Sequence, residues 1–117
     1  MGELLSQRLI DRKFTDEETD RLKTTLQHVQ KGFEFYYLRD YQKAYDEYKQ
    51  ANSIYPNLPV VHASLGSLNL AMGRLEEAKQ EWLLWLSLAP DSSEAKASLD
   101  KLQKDHPEIF TTTGGTK

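Results

Sequence analysis

Gly32, Ala44 and Pro56 recur 34 residues later as Gly66, Ala78 and Pro90. That period constrains the chain more than any bulk property. A fixed spacing of this length marks stacked helix-turn-helix units, none of which can bury its apolar face alone. The expected use of such an array is to bind another protein rather than to catalyse a reaction.

The local signals between these anchors are helical. Thr15 with Glu18 three residues on has capping-box spacing, and Asp16 and Glu17 suit the positive end of a helix dipole. From there Leu22, Leu26, Val29, Phe33 and Tyr36 recur at helical spacing, which predicts one long helix from Asp16 to Leu38. Arg39-Asp40 interrupts it. A second helix is predicted over Tyr41–Tyr55, with Ala44, Tyr48 and Ala51 inward and Pro56 as its stop. Pro59 suits the first turn of a third helix carrying Leu65, Leu68 and Met72, and Gly73 ends it. A fourth helix is predicted over Leu75–Leu88, closed by Pro90. Asp91 with Glu94 has capping spacing for a fifth, which runs to Lys104 before Asp105-His106-Pro107. A short helix over 3–13 would carry Leu5, Leu9 and Ile10 on one side, and the tail TTTGGTK has no periodic apolar face.

Set in register, Thr25–Leu58 and Pro59–Ser92 are two copies of one pattern. His28 aligns with His62, Gly32 with Gly66, Phe35 with Asn69, Tyr41 with Leu75, Ala44 with Ala78, Tyr48 with Trp82, Ile54 with Leu88 and Pro56 with Pro90. Glycine and alanine at matching positions allow two helices to approach closely. The large aromatic fills the space between successive pairs. At this period and in this register the chain resembles the tetratricopeptide repeat family. Lys31, Asn69 and Trp85 depart from that family's usual leucine, aromatic and small residue, which implies local repacking.

The resemblance implies an all-α fold of antiparallel helix pairs stacked as a short right-handed superhelix. The expected organisation is an N-terminal helical extension or degenerate repeat over 1–24, repeats over 25–58 and 59–92, a capping helix over 93–104 and a flexible tail over 105–117. It also implies a concave partner groove lined by the first helix of each pair. By register, that face holds Phe33, Tyr36 and Tyr37 from the first copy and Val60, Ala63, Ser67 and Leu70 from the second. The same aromatics would equally serve to pack against the long first helix or the N-terminal segment. One branch of the family grips a C-terminal carboxylate with basic groove residues. The corresponding positions here are Val29, Phe33, Ser64, Glu94 and Ser98, so that mode, and acidic peptides with it, are disfavoured.

The run Trp82-Leu83-Leu84-Trp85-Leu86 raises a second expectation. One buried stripe needs Trp82, Trp85 and either Leu86 or Leu88. Leu83 and Leu84 then point elsewhere, and an exposed apolar patch on a soluble protein marks an interface. Self-association through Leu83, Leu84 and Leu86 is therefore the alternative expectation, set against cover from the fifth helix and the tail.

Other functional classes find little support. Net charge is −3, and Lys/Arg against Asp/Glu is nine to ten in residues 1–58 and six to eight in 59–117. Neither half carries the basic footprint of a nucleic-acid binder. No apolar run is long enough to cross a bilayer, and polar residues interrupt the N-terminal MGELLSQRLIDRK, so no signal-peptide core is expected there. With no cysteine, disulfides and thiolate sites are excluded. Either a reducing or an oxidising space is compatible, and the cytoplasm is the expected one. His28, His62 and His106 lack metal-ligand spacing, and His28 and His62 occupy a packing position of the repeat. Gly114-Gly115 has no strand or helix to form a phosphate cradle. No metal, cofactor or catalytic residue is expected.

Overall fold

The computed structural model describes residues 15–111. The elements are α1 (Asp16–Tyr37), α2 (Tyr41–Ile54), α3 (Pro59–Ala71), α4 (Leu75–Leu88), α5 (Ser93–Asp105) and a 3-10 turn at Pro107–Phe110. No strand occurs among the described residues. The expected helix over 3–13 and the tail from 112 to 117 lie outside them.

The helix ends follow from named residues. At the start of α1 the Thr15 hydroxyl accepts from the Glu18 amide at 3.1 Å, and the Glu18 carboxylate accepts from the Thr15 amide at 2.9 Å. This reciprocal capping box satisfies two otherwise orphaned donors. At its end Arg39 adopts φ 64°, the Asp40 amide donates to Phe35 O at 2.9 Å and the Arg39 amide to Tyr36 O at 3.0 Å. That is a Schellman motif. It recurs 34 residues later, with Gly73 at φ 78°, Arg74 N donating to Asn69 O at 2.8 Å and Gly73 N to Leu70 O at 3.0 Å. The second copy uses the residue that tolerates a left-handed backbone; the first uses an arginine. At α5 the cap is Ser92, whose hydroxyl accepts from the Ala95 amide at 3.0 Å, and not Asp91 as the capping spacing suggested. The helix starts one residue later than that spacing implies, which leaves Asp91 in the turn.

Short connections force antiparallel neighbours. α1 packs on α2, α3 on α4, the two hairpins meet along α2 and α3, and α5 covers α4. Ala44, Ala51, Ala78 and Ala95 have no exposed surface and let the helices close on one another. One apolar cluster joins the hairpins through Val29, Tyr48, Val61, Leu65 and Leu68. A second joins α4 to α5 through Trp82, Leu99 and Leu102.

At the centre of each hairpin an aromatic ring lies on a glycine. A Cβ on Gly32 would enter the Tyr48 ring, and one on Gly66 would enter the Trp82 indole. Only glycine admits this approach. Trp82 also donates its indole N–H to Ala63 O at 3.1 Å, satisfying the one polar atom it buries. Buried Asn69, in the Phe35 register, is satisfied by donating to Leu65 O at 2.9 Å. Trp85, in the register of fully buried Ala51, turns instead toward α5 and packs with its cluster.

The folded chain continues past α5. Ile109 and Phe110 pack on the Trp82–Leu99–Leu102 cluster. The Lys79 ammonium donates to Ile109 O at 2.6 Å, stands 5.3 Å from the Phe110 ring centroid and pairs with Glu76 at 3.0 Å. The Lys79 contact holds the exposed Glu76 carboxyl below its ordinary value. Of the residues expected as a flexible tail from 105, Asp105 closes α5 and residues 106–111 form a short strap across α4 and α5.

Candidate functional site

The first helix of each pair and α5 share one concave side. Three adjoining hollows run across it. The first, about 280 Å³, is lined by Phe33, Tyr36, Tyr37, Tyr48, Ala63, Ser64 and Ser67. Val60 lies in the second, about 640 Å³, with Ala63, Trp85, Glu94, Ala97 and Ser98. Leu70 lies in the third, about 280 Å³, with Ser67, Trp82, Ser98, Lys101 and Asp105 among its neighbours. The six residues singled out from the sequence are therefore divided among three hollows. Phe33, Tyr36, Tyr37 and Ser67 share one, while Val60 and Leu70 stand in the flanking two.

Helical spacing explains the aromatic end. Phe33, Tyr36 and Tyr37 fall at i, i+3 and i+4 on α1 and so share a face. Phe33 meets Tyr48 edge-on, centroids 6.1 Å apart at 70°. Tyr36 meets Tyr37 edge-on at 6.2 Å and 74°. Tyr36 also tilts onto Tyr41 at 5.8 Å, which anchors one side of the group in the hairpin. Tyr37 is 82% exposed and Phe33 36%, whereas Tyr48 is 2% exposed and forms the floor. Burial pushes the Tyr48 phenol up to about 12, with the Ser64 hydroxyl pulling the other way and Tyr36 and Tyr37 adding a smaller rise. The phenol is neutral at any physiological pH.

The rest of the floor is neutral as well. The Ser64 hydroxyl donates to Val60 O at 2.7 Å and the Ser67 hydroxyl to Ala63 O at 3.2 Å. Their protons are used within α3, and their lone pairs remain as acceptors. No Lys, Arg, His, Asp or Glu lines the first hollow. Toward α5 the groove becomes polar: Lys101 pairs with Asp105 at 3.0 Å, and Glu94 makes no ion pair among the described residues.

By its place in the repeat Tyr48 is expected only to pack, although it also floors the hollow. A second arrangement lies outside the sequence-based expectations altogether. His28 Nδ1 lies 2.6 Å from Glu47 Oε1, and His62 Nδ1 lies 2.7 Å from Glu81 Oε1. Each pair bolts the first helix of its repeat to the second. The signal was available, because Glu47 and Glu81 also recur at 34 residues, each 19 after its histidine. No cluster of three His, Cys, Asp or Glu suited to a metal occurs among the described residues. His106 is half-buried at the end of the groove, 3.5 Å from Glu108.

On the opposite helix, Leu83 and Leu84 are 44% and 38% exposed. Leu86 is half-buried and packs on the Trp82–Leu99–Leu102 cluster, so it presents little surface beside them. No described helix is long and apolar enough to cross a membrane.

A family model for the tetratricopeptide repeat matches residues 36–107, more than half of the chain. No curated protein and no solved structure was found to match.

Proposed function

The chain belongs to the tetratricopeptide repeat family, whose members are typically non-catalytic protein-interaction modules, and from that premise we propose that its concave face binds an extended peptide or a helix of a partner protein. The observation that carries this reading is the placement of Tyr37. A tyrosine 82% exposed beside Phe33 and Tyr36 contributes little to the core, while a partner covering it would bury a large apolar surface. The mechanism is preformed shape. Two rigid hairpins hold the rings in place, so little ordering entropy opposes docking. Phe33, Tyr36 and Tyr37 would act as anchors, with Val60, Ser67 and Leu70 extending the contact along α3.

Replacing Phe33, Tyr36 and Tyr37 together by alanine tests this. A partner captured by the wild-type chain should be lost while circular dichroism stays helical. Undiminished capture by a folded triple variant contradicts the groove.

A second reading is supported by Leu83 and Leu84. Their adjacent exposure on α4 would favour self-association, with Leu86 at the margin. Light scattering across a concentration series distinguishes it: a mass that doubles, and returns to the monomer value in Leu83→Lys, supports assembly through α4. A constant monomer mass rules that reading out.

A further inference from the structure

The groove reading leaves the chemistry of the occupant open, and the rings of the first hollow narrow it. Elsewhere the fold places a cation against aromatic rings repeatedly. Arg21 stands 5.4 Å from the Tyr55 centroid, Lys43 5.6 Å from Phe35, Lys49 5.8 Å and Arg74 6.0 Å from Tyr45, and Lys79 5.3 Å from Phe110. Among the described residues none stands over Phe33, Tyr36, Tyr37 or Tyr48. All four line the same hollow, and they do so as two edge-on pairs, Phe33 with Tyr48 at 70° and Tyr36 with Tyr37 at 74°, so the two rings of each pair turn their π faces in different directions. A hollow lined by several aromatic rings attracts a cation through the ring quadrupoles, and more strongly as a docking partner excludes water from it.

Hydrogen bonding and charge point the same way. The Ser64 and Ser67 hydroxyls donate to α3 carbonyls, Ser64 also bears on the Tyr48 phenol, and neither has a second proton to offer an anion. An anion entering the hollow would meet no positive charge and no N–H from a side chain, only phenols. One neighbouring hollow adds the Trp85 indole and the Glu94 carboxylate, and the other carries Lys101, whose charge is met by Asp105 at 3.0 Å, together with His106. The chain's net charge of −3 further favours a basic ligand. At about 280 Å³ the first hollow is at the lower limit for a small-molecule site, which suits one long side chain rather than a whole helix.

We propose that the hollow formed by Phe33, Tyr36, Tyr37 and Tyr48 receives the lysine or arginine side chain of a basic segment in a partner protein. The proposal rests on the groove reading and adds the sign of the ligand. Four capped pentapeptides test it, each with alanines around a central lysine, arginine, norleucine or glutamate. They are titrated into the full chain at high salt, where attraction to its net charge is screened. Ring-proton NMR signals of Phe33, Tyr36 and Tyr37 are followed. The lysine and arginine peptides should shift these signals and bind at least tenfold more tightly than the norleucine peptide. Tyr37→Leu should remove most of that preference with the circular dichroism spectrum unchanged. Equal binding of norleucine and lysine overturns the cation assignment and leaves the groove standing. Tighter binding of glutamate also overturns it. Ring signals that respond to none of the four also overturn the cation assignment, while the groove reading is decided separately by partner capture with the triple-alanine variant.

Discussion

In the first repeat Tyr48 lies on Gly32; in the second Trp82 lies on Gly66. His28 reaches Glu47, and His62 reaches Glu81. Both first helices end in the same hydrogen-bonded turn, around Arg39 and around Gly73. Within each hairpin, then, the two repeats keep one geometry while changing the residue that meets it. On the concave side they diverge. Phe33, Tyr36 and Tyr37 of the first repeat correspond to Ser67, Leu70 and Ala71 of the second. The interior positions are held by close approach, where a single methyl group is felt. The concave positions carry no such demand, which leaves them free to concentrate aromatic surface at one end.

The largest effect that would test this equivalence is removal of the central ring. Trp82→Ala should destabilise the chain by about 3–5 kcal/mol in urea denaturation. It should also release α5 and the Pro107–Phe110 turn, because Trp82 belongs to their cluster. Loss of less than about 1 kcal/mol would mean that the second hairpin is not built around its indole as the first is around Tyr48.

Alkaline pH separates the two rings. Burial holds the proton on the Tyr48 phenol to about pH 12 in the folded chain, against 10.0 for an ordinary tyrosine. Between those values the unfolded chain binds fewer protons than the folded one, so stability falls as pH rises. The stability is fully present below pH 10, and roughly 2–3 kcal/mol of it is lost through pH 12, at about 1.4 kcal/mol per pH unit. Trp82 has no equivalent titration. Urea midpoints measured across this range should fall for the wild type and flatten in Tyr48→Phe. An unchanged slope in that variant would remove Tyr48 as the cause.

Smaller again are the glycines. Gly32→Ala and Gly66→Ala should each cost about 1–3 kcal/mol by overpacking, against the usual helix preference for alanine. A stabilising outcome at either site would show that its ring can move aside. The smallest effect has the opposite sign. Arg39→Gly should stabilise by about 1 kcal/mol, since it gives the first Schellman turn the residue already present in the second. Thermal melting of Arg39→Gly checks this; no gain would imply that the arginine compensates by contacts of its own.

Features written in neighbouring residues were legible from the chain alone. The capping box of Thr15 and Glu18, proline at the start of α3, glycine after it and the apolar spacing of each helix all act over a few residues. They located every described helix to within a residue or so. Features that depend on surfaces meeting were not. The strap of Ile109 and Phe110 exists because Lys79, thirty residues earlier, reaches the Ile109 carbonyl. Asp91 and Ser92 are both good capping residues, and only the exact start of α5 selects Ser92. Which concave residues share a hollow was likewise hidden, because Val60 and Leu70 lie on α3 with Ser67 and yet face different neighbours across the groove.

Photo-cross-linking in the cell of origin tests the central assignment most directly. A benzoylphenylalanine is placed in one variant at Tyr37, on the aromatic concave end, and in another at Leu83, on α4. The account predicts adducts to a second protein from position 37 and none from position 83. Adducts confined to position 83, or self-adducts there with none at 37, would contradict it.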